Sequence, residues 1–276
     1  MSSEASSSVG VHGVFATRIC TEPATASALA ALLTDARWPW LMNRYSFDTL
    51  PPKKKLQQHD KALTKKTAAA RLAQGLLAPE RSALHLMCSP TPEEVRSECV
   101  VSTGRMEYRE FDAPYKIEIV QRATSWPGHA LMADWLEVLH CTMATCRVSC
   151  GIVTGWRTYD LARSDAGLGL SPSEQLPPDY FAENRATNAH RVTRLGGDMV
   201  RPPRWGTYLA QSWVDRIGGR AAIEVAAAPH AIRDIGGDVV FIQLTGSIEA
   251  SQSAECEQKR LALRELMRPI LPPGIP

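Results

Sequence analysis

The sequence predicts an α/β or α+β fold in which a mixed, largely antiparallel sheet is flanked by helices. Helical and strand-like patterns interleave along the 276 residues, and glycine doublets mark turns in the C-terminal third. Hydrophobic residues make up 44% of the chain and charged residues 22%, so an extensive core is expected. We expect a disordered, serine-rich tail over residues 1–20. A single domain over 21–276 should follow, or two subdomains that meet near 155–200.

Two helices are predicted in the first part of the chain. Between residues 23 and 37, leucines recur at three-and-four spacing after an initial proline, a pattern typical of an amphipathic helix. Over 53–77, apolar residues recur every seven positions, which predicts a second helix. Its outer face is basic and carries Lys53, Lys54, Lys55, Lys61, Lys65, Lys66 and Arg71.

Strand patterns dominate the middle of the chain. Strands are predicted over 82–87, 105–111 and 115–123, and in the last of these apolar and polar residues alternate. The segment 127–143 places Leu131, Trp135 and Leu139 on one face, which predicts an amphipathic helix. A buried strand over 146–153 should follow it directly.

Residues 155–190 lose all periodicity and carry three prolines and several acidic side chains. A connection longer than about 15 residues is uncommon inside a compact domain and is usually functional or disordered. This segment could therefore face a basic partner, and an ordinary solvated loop is the alternative.

Three glycine doublets, Gly196-Gly197, Gly218-Gly219 and Gly236-Gly237, each follow a leucine or isoleucine and are predicted turns. Gly218-Gly219 should end a helix over 209–217, because glycine adopts left-handed backbone at the lowest cost. Gly236-Gly237 predicts a hairpin-type turn into a strand over 239–244. A closing helix is expected over 253–268, where Pro269 ends it.

The sequence contains no recognisable catalytic or nucleotide-binding motif. G-x-S-x-G, G-x-G-x-x-G and the phosphate-loop pattern are absent, and the seven histidines form no paired motif. We expect a binding protein without enzyme activity, metal or other cofactor. A hydrolase whose nucleophile is assembled from distant residues is a further alternative.

Cys141, Cys146 and Cys150, beside His140, suggest a zinc site. If Cys146 and Cys150 share one strand, they lie roughly 13 Å apart at about 3.3 Å per residue. Ligands of one zinc ion must converge much more closely than that. Buried free thiols are therefore expected.

The charge balance points to no particular class of partner. The 31 basic and 29 acidic residues leave a net charge of +2, too small to indicate nucleic acid or a membrane. The basic segment 53–71 lacks interleaved aromatic residues that would stack on bases. A nucleic-acid-associated protein that uses this helix is nevertheless the alternative function.

The expected location is the cytoplasm. No window reaches the roughly 18 apolar residues of a membrane helix, and the first twenty residues lack the pattern of a signal peptide. An odd number of cysteines, seven in a chain of this length, favours reduced thiols.

One C-terminal region resembles bacterial immunity proteins of polymorphic-toxin and type VI secretion systems. The resemblance lies in R-P-P-R-W-G-T-Y-L at 201–209, W-V-D-R-I-G-G at 213–219 and I-G-G-D-V-V-F-I-Q-L at 235–244. Residues 25–160 resemble the immunity family paired with restriction-endonuclease-type (Tox-REase) toxins, in the early helices, the W-P-G-H-A-L-M helix and the G-I-V-T strand. This chain lacks the strong acidity of many immunity proteins.

The resemblance implies a protein that binds one cognate toxin, a nuclease effector, and occludes its active site. It implies no direct contact with nucleic acid or membrane. The shared motif assigns a framework role to Trp205, Gly206, Thr207, Tyr208, Gly218 and Gly219. For an immunity protein, the acidic connection becomes the expected toxin-binding surface, with Asp160, Asp165, Glu174, Asp179, Tyr180 and Glu183 as contacts.

Overall fold

A computed structural model describes residues 9–17, 22–35, 37, 44–49, 61–62, 68–78, 81–87, 98–102, 115–123, 129–157 and 200–271. The strands in these ranges are β1 (Val9–Thr17), β2 (Arg44–Thr49), β3 (Lys61–Ala62), β4 (Arg81–Met87), β5 (Glu98–Ser102), β6 (Tyr115–Ala123), β7 (Cys150–Arg157), β8 (Gly206–Ala210), β9 (Ala231–Asp234) and β10 (Val239–Gln243). The helices are α1 (Pro23–Leu33), α2 (Ala68–Leu77), α3 (His129–Thr145), α4 (Gln211–Arg216), α5 (Gly219–Ala227) and α6 (Ala254–Met267).

The ten described strands form one sheet in the order β3-β2-β4-β5-β6-β1-β7-β8-β10-β9. Each pair of neighbours is antiparallel. Helix α1 contacts both α2 and α3, and α5 contacts α6. The predicted class, helices around a largely antiparallel sheet, is confirmed.

The expected disordered tail over 1–20 is wrong for Val9–Thr17. These residues form β1, which pairs with β6 on one side and with β7 on the other. Apolar residues such as Val9, Val11 and Phe15 suit an interior strand, and the serines that suggested a tail precede them. Residues 1–8 and 18–20 lie outside the described ranges.

The predicted basic helix over 53–77 is also corrected. Lys61 and Ala62 form β3 and pair with Tyr45 and Arg44 of β2, and α2 begins only at Ala68. A spacing of seven residues between apolar side chains is compatible with a helix, but at Lys61 pairing with the neighbouring strand β2 produces an extended conformation. The alternative function therefore loses its continuous basic helix, and residues 51–60 and 63–67 lie outside the described part.

Several predicted boundaries move by a few residues. Helix α1 ends at Leu33, and the Thr34 hydroxyl donates to the Ala30 carbonyl oxygen at 3.0 Å. The strand expected over 146–153 begins at Cys150, because Cys146 lies in the turn after α3. The strand predicted over 105–111 falls outside the described residues, and β5 lies upstream of it.

Two of the three predicted C-terminal turns and the closing helix are confirmed, and the third, Gly196-Gly197, lies outside the described residues. Gly218 and Gly219 have φ angles of +97° and +81° at the junction of α4 and α5. The helix before them, predicted over 209–217, begins only at Gln211, because residues 206–210 form β8. Gly236 and Gly237 join β9 to β10 in an antiparallel hairpin. Helix α6 begins after Ser253, whose hydroxyl oxygen accepts from the Cys256 amide at 3.1 Å. No helix among the described residues is long and apolar enough to cross a membrane.

Candidate functional site

The two groups of predicted site residues have different outcomes. The expected toxin contacts lie between β7 and β8, outside the described residues, and remain a prediction: Asp160, Asp165, Glu174, Asp179, Tyr180 and Glu183. The framework residues Trp205, Gly206, Thr207 and Tyr208 are all buried at the start of β8. Gly218 and Gly219 are separate from them, at the junction of α4 and α5, where Gly219 is the first residue of α5.

Trp205 anchors β8 to the segment that follows β10. Its indole N–H donates to the Thr245 carbonyl oxygen at 3.1 Å, and its own carbonyl oxygen accepts from the Leu244 amide at 2.9 Å. The indole is 3% exposed. These bonds hold the end of β10 against the start of β8.

Gly206 is required by a close approach of Phe241, which lies on the neighbouring strand β10. A Cβ atom at position 206 would be 2.8 Å from Cε2 of Phe241 and 3.3 Å from Cγ1 of Val153. Because glycine carries no side chain, the Phe241 ring can lie directly against β8. The glycine of the W-G-T-Y motif thus shapes the interior of the fold.

Three residues lie in one row across the edge of the sheet. Tyr208 of β8 pairs with Phe241 of β10, which pairs with Arg233 of β9. Directly paired residues point to the same face of a sheet. The Tyr208 and Phe241 rings are 4.7 Å apart, so this row forms a floor of two aromatic rings with a guanidinium group at the edge strand.

Helix α3 places His140 over this floor. The centre of its imidazole ring is 4.5 Å from that of Phe241 and 5.7 Å from that of Tyr208. The Nδ1 atom is hydrogen-bonded to the Tyr208 hydroxyl at 3.1 Å. The second ring nitrogen, Nε2, is buried and has no hydrogen-bond partner among the described residues.

His140 is 6% exposed, and this burial, together with the charge of Arg233, lowers its pKa from 6.5 to about 4. The imidazole is therefore neutral at pH 7. Burial also raises the pKa of the Tyr208 phenol well above its usual value, so the hydroxyl keeps its proton. The pair consists of two neutral groups.

A cavity of about 300 Å³ opens beside His140. Its apolar walls come mainly from α3, from Trp205 and from the segment after β10, and its polar groups include one glutamine, one serine and five charged or titratable side chains. The lining residues include Trp135, Leu136, Glu137, His140, Trp205, Arg233 and Glu249. A concave site with apolar walls, few polar groups and a perturbed pKa is typical of ligand binding.

The described thiols have no features of a nucleophile or a metal centre. Cys146, Cys150 and Cys256 are buried, and burial raises the pKa of Cys256 to about 11. Burial also raises the pKa of the Cys141 thiol. Within the described ranges, no group of His, Cys, Asp and Glu residues could hold a metal ion.

In the sequence, His140 was considered only as a neighbour of Cys141, Cys146 and Cys150. The local pattern did not predict that His140 packs against Tyr208 and Phe241. One signal was available, since Met132, Leu136 and His140 follow one another at intervals of four on α3 and all line the cavity. A histidine that continues an apolar helical stripe is a candidate buried polar group. Its partner Tyr208 is 68 positions away in sequence and could not be paired with it from local patterns.

The structure has a neighbour among solved proteins. It matches the Pseudomonas aeruginosa T6SS protein PA0821 with a TM-score of 0.61 over 96% of this chain and 74% of that chain, at 12% sequence identity. At this identity the likeness shows a shared fold. No protein-family model matches the sequence, and no curated protein matches it.

Proposed function

We propose that this chain is an immunity protein that binds one cognate antibacterial toxin and occludes its active site. The proposed toxin is a nuclease effector of a type VI secretion system, of the restriction-endonuclease type. The chain catalyses no reaction itself. It acts in the cytoplasm of the producing cell, where a nuclease would meet the cell's own nucleic acid.

The observation that carries this proposal is the fold shared with a type VI secretion protein over 96% of the chain. The sequence resemblance of residues 201–244 to immunity proteins supports it separately. Of the motif residues, Trp205 lines the cavity, and Tyr208 is hydrogen-bonded to His140, which also lines it. Fold and sequence motif thus favour the same kind of secretion system.

The surroundings of the cavity suit tight binding of a protein. High-affinity interfaces combine a desolvated centre of aromatic or arginine side chains with a charged rim that speeds association. The cavity is lined by the exposed side chains of Glu137 and Arg233, which carry both signs of charge, and by the partly buried Met132 and Leu136. We propose this end of the sheet as the toxin-binding face.

The C-terminal part of β7, the last described strand before the acidic segment, lies beside a segment that lines the cavity. The Ser251 hydroxyl donates to the Gly155 carbonyl oxygen at 2.8 Å, which holds the end of β7 beside the 3₁₀ segment Ile248–Gln252. Ile248 and Glu249 of that segment line the cavity. The C-terminal part of β7 therefore lies close to the segment that lines the cavity, and we propose that the acidic side chains after β7 in the sequence contribute to the same interface.

The test starts with affinity capture of partners from the producing organism, with this chain as bait, and mass spectrometry. The captured partner's C-terminal domain is then expressed alone and together with this chain. We expect it to arrest growth and to degrade plasmid DNA, and we expect stoichiometric amounts of this chain to abolish both effects. A partner that is harmless, or whose toxicity persists at excess of this chain, would contradict the proposal.

The location of the interface is tested by charge reversal. We expect Asp160→Lys combined with Asp179→Lys to weaken toxin binding about tenfold or more at low salt, mainly by slowing association. Glu224→Lys is the matched control, because Glu224 is exposed on α5 and does not line the cavity. All variants should keep the melting temperature of the wild type. Unchanged affinity in the double variant would move the interface to another surface, such as that near Glu93, Glu94 and Glu98.

A further inference from the structure

Strand β9 is the last strand of the sheet, and its outer edge is open among the described residues. Only β10 pairs with it. The Ile235 amide donates to the Val239 carbonyl oxygen of β10 at 3.1 Å. Peptide groups of alternate residues in a strand point to the same side, so those of Arg233 also face β10. The peptide groups of Ile232 and Asp234 therefore point away from the sheet.

The outward groups have no partner within the described part of the chain. Neither the N–H nor the C=O of Ile232 or of Asp234 forms a hydrogen bond with a described residue. Each of the two residues thus offers one backbone donor and one backbone acceptor. Unpaired backbone groups along a sheet edge form a template on which another strand can pair.

We propose that β9 is a docking edge, to which the protein partner of this chain adds one extended strand with an acidic side chain opposite Arg233. The identity of that partner as a toxin rests on the proposed function above. The docking edge itself is argued from the backbone and the charges of β9.

The charges of β9 favour an acidic residue on the docked strand. Arg233 is exposed and forms no ion pair or hydrogen bond with a described residue. The charge of Asp234 is already balanced, because its Oδ2 atom accepts from Nη2 of Arg220 at 3.2 Å. Opposite charges on directly paired strand residues stabilise a sheet, whereas like charges destabilise it. A carboxylate beside Arg233 therefore suits this edge.

The edge is continuous with the cavity beside α3. Arg233 lines that cavity together with Glu137 and Glu249, and neither glutamate forms an ion pair with it. Directly paired residues share one face of a sheet, so the residue opposite Arg233 would lie on the cavity side. In strand addition, main-chain hydrogen bonds provide affinity and neighbouring pockets discriminate between side chains. Strand β9 and the cavity can provide these two contributions.

A second copy of this chain fits the edge less well. Because only Ile232 and Asp234 point outward, a two-fold antiparallel pairing would be centred on one of them or on Arg233. Centred on Arg233 or on Asp234, it would place two like charges opposite each other. Centred on Ile232, it would need the amide of His230, which already donates to the Leu244 carbonyl oxygen at 3.3 Å. A strand from a different protein avoids these conflicts.

The first experiment removes one outward donor and leaves the pairing with β10 in place. Ile232→Pro removes the N–H that points away from the sheet, a position at which an edge strand tolerates proline. Ile232→Ala is the matched control, because it loses the same side chain and keeps the N–H. We expect the partner captured with this chain to bind Ile232→Pro about tenfold or more weakly than Ile232→Ala, since a carbonyl oxygen of the docked strand loses its donor. Equal affinities would overturn the docking edge.

Hydrogen exchange of the wild type tests the edge without any substitution. In the free protein we expect the amides of Ile232 and Asp234 to exchange rapidly and that of Arg233, which faces β10, to be protected. In the complex, exchange at Ile232 and Asp234 should slow by about tenfold or more, because the docked strand accepts from both amides. This measurement decides the question even if Ile232→Pro does not fold. Unchanged exchange at both positions in the complex would overturn the proposal.

Charge reversal tests the acidic residue of the docked strand. We expect Arg233→Glu to weaken binding of the captured partner by about fivefold or more at low salt, because two carboxylates would then lie opposite each other. Arg147→Glu is the matched control, since Arg147 is exposed in the turn after α3 and does not line the cavity. Equal effects of the two substitutions would contradict an acidic residue opposite Arg233.

The docking edge and the immunity function are tested separately. A partner that is not toxic but depends on the Ile232 amide would contradict the immunity function and support the edge. A toxin that Ile232→Pro and Ile232→Ala neutralise equally would overturn the edge and leave the immunity function. Sedimentation of the full chain tests the remaining occupant, because a wild-type dimer that Ile232→Pro converts to a monomer would assign the edge to a second copy. Capture of no partner would contradict both proposals.

Discussion

Acidification from pH 7 to pH 4 should destabilise this protein through His140. Its pKa is lowered from 6.5 to about 4 by burial, with a smaller contribution from the charge of Arg233. At pH values between these two pKa values, 6.5 and about 4, His140 is protonated in the unfolded chain and neutral in the folded chain. Stability from this residue is therefore complete above about pH 6.5. It is lost progressively as the pH falls to about 4 and changes no further below that.

The size of the effect follows from the shift. Each pKa unit corresponds to about 1.4 kcal/mol of free energy. The difference between 6.5 and about 4 then corresponds to about 3 kcal/mol of unfolding free energy. That is a large part of the 5–15 kcal/mol typical of a folded domain. The groups that face the imidazole are Tyr208 from β8 and Arg233 from β9, and Glu137, His230 and Glu249 share its cavity.

The assay is urea unfolding between pH 4 and pH 7, followed by tryptophan fluorescence, for the wild type and for His140→Phe. Other histidines and the carboxylates titrate in both proteins, so their contributions cancel in the difference between the two curves. We expect the wild type to lose about 3 kcal/mol more than the variant over this range. Parallel curves for the two proteins would refute the neutral, buried state of His140.

Two further predictions concern glycines. Gly206→Ala should lower the free energy of unfolding, measured with urea, by about 1–3 kcal/mol, because the new methyl group collides with the Phe241 ring. In a Phe241→Leu background the same substitution should cost less. An equal loss in both backgrounds would refute the contact. Gly237→Ala should cost more than Gly236→Ala in the same assay. Both have positive φ, but only at position 237 would the methyl group meet the backbone of Ala144, and equal costs would contradict this.

Short-range patterns predicted a large part of the fold. The periodicity of 3.6 predicted α1, α3 and α6, because it depends on residues within a few turns of one another. Strand β6 was predicted over 115–123 from alternation. The glycine doublet before β10 predicted its hairpin, because positive φ is a local requirement.

Other elements were missed where distant contacts overrode local patterns. The seven-residue spacing predicted helix at Lys61, yet pairing with Tyr45 of β2 makes it a strand. The serine-rich start predicted disorder, yet Val9–Thr17 becomes an interior strand because β6 and β7 satisfy both of its edges. Strand propensity is weak by itself and depends on the neighbours a strand finds.

The sequence by itself determined the class of fold and the positions of most helices. Only the tertiary structure decided that the motif's Gly206 and Tyr208 belong to one site with Phe241 and His140. The physical reason is the length scale of the interactions. Periodicity and turn chemistry act between near neighbours in the chain, whereas a buried hydrogen bond joins residues 68 positions apart only after the sheet and α3 have packed together.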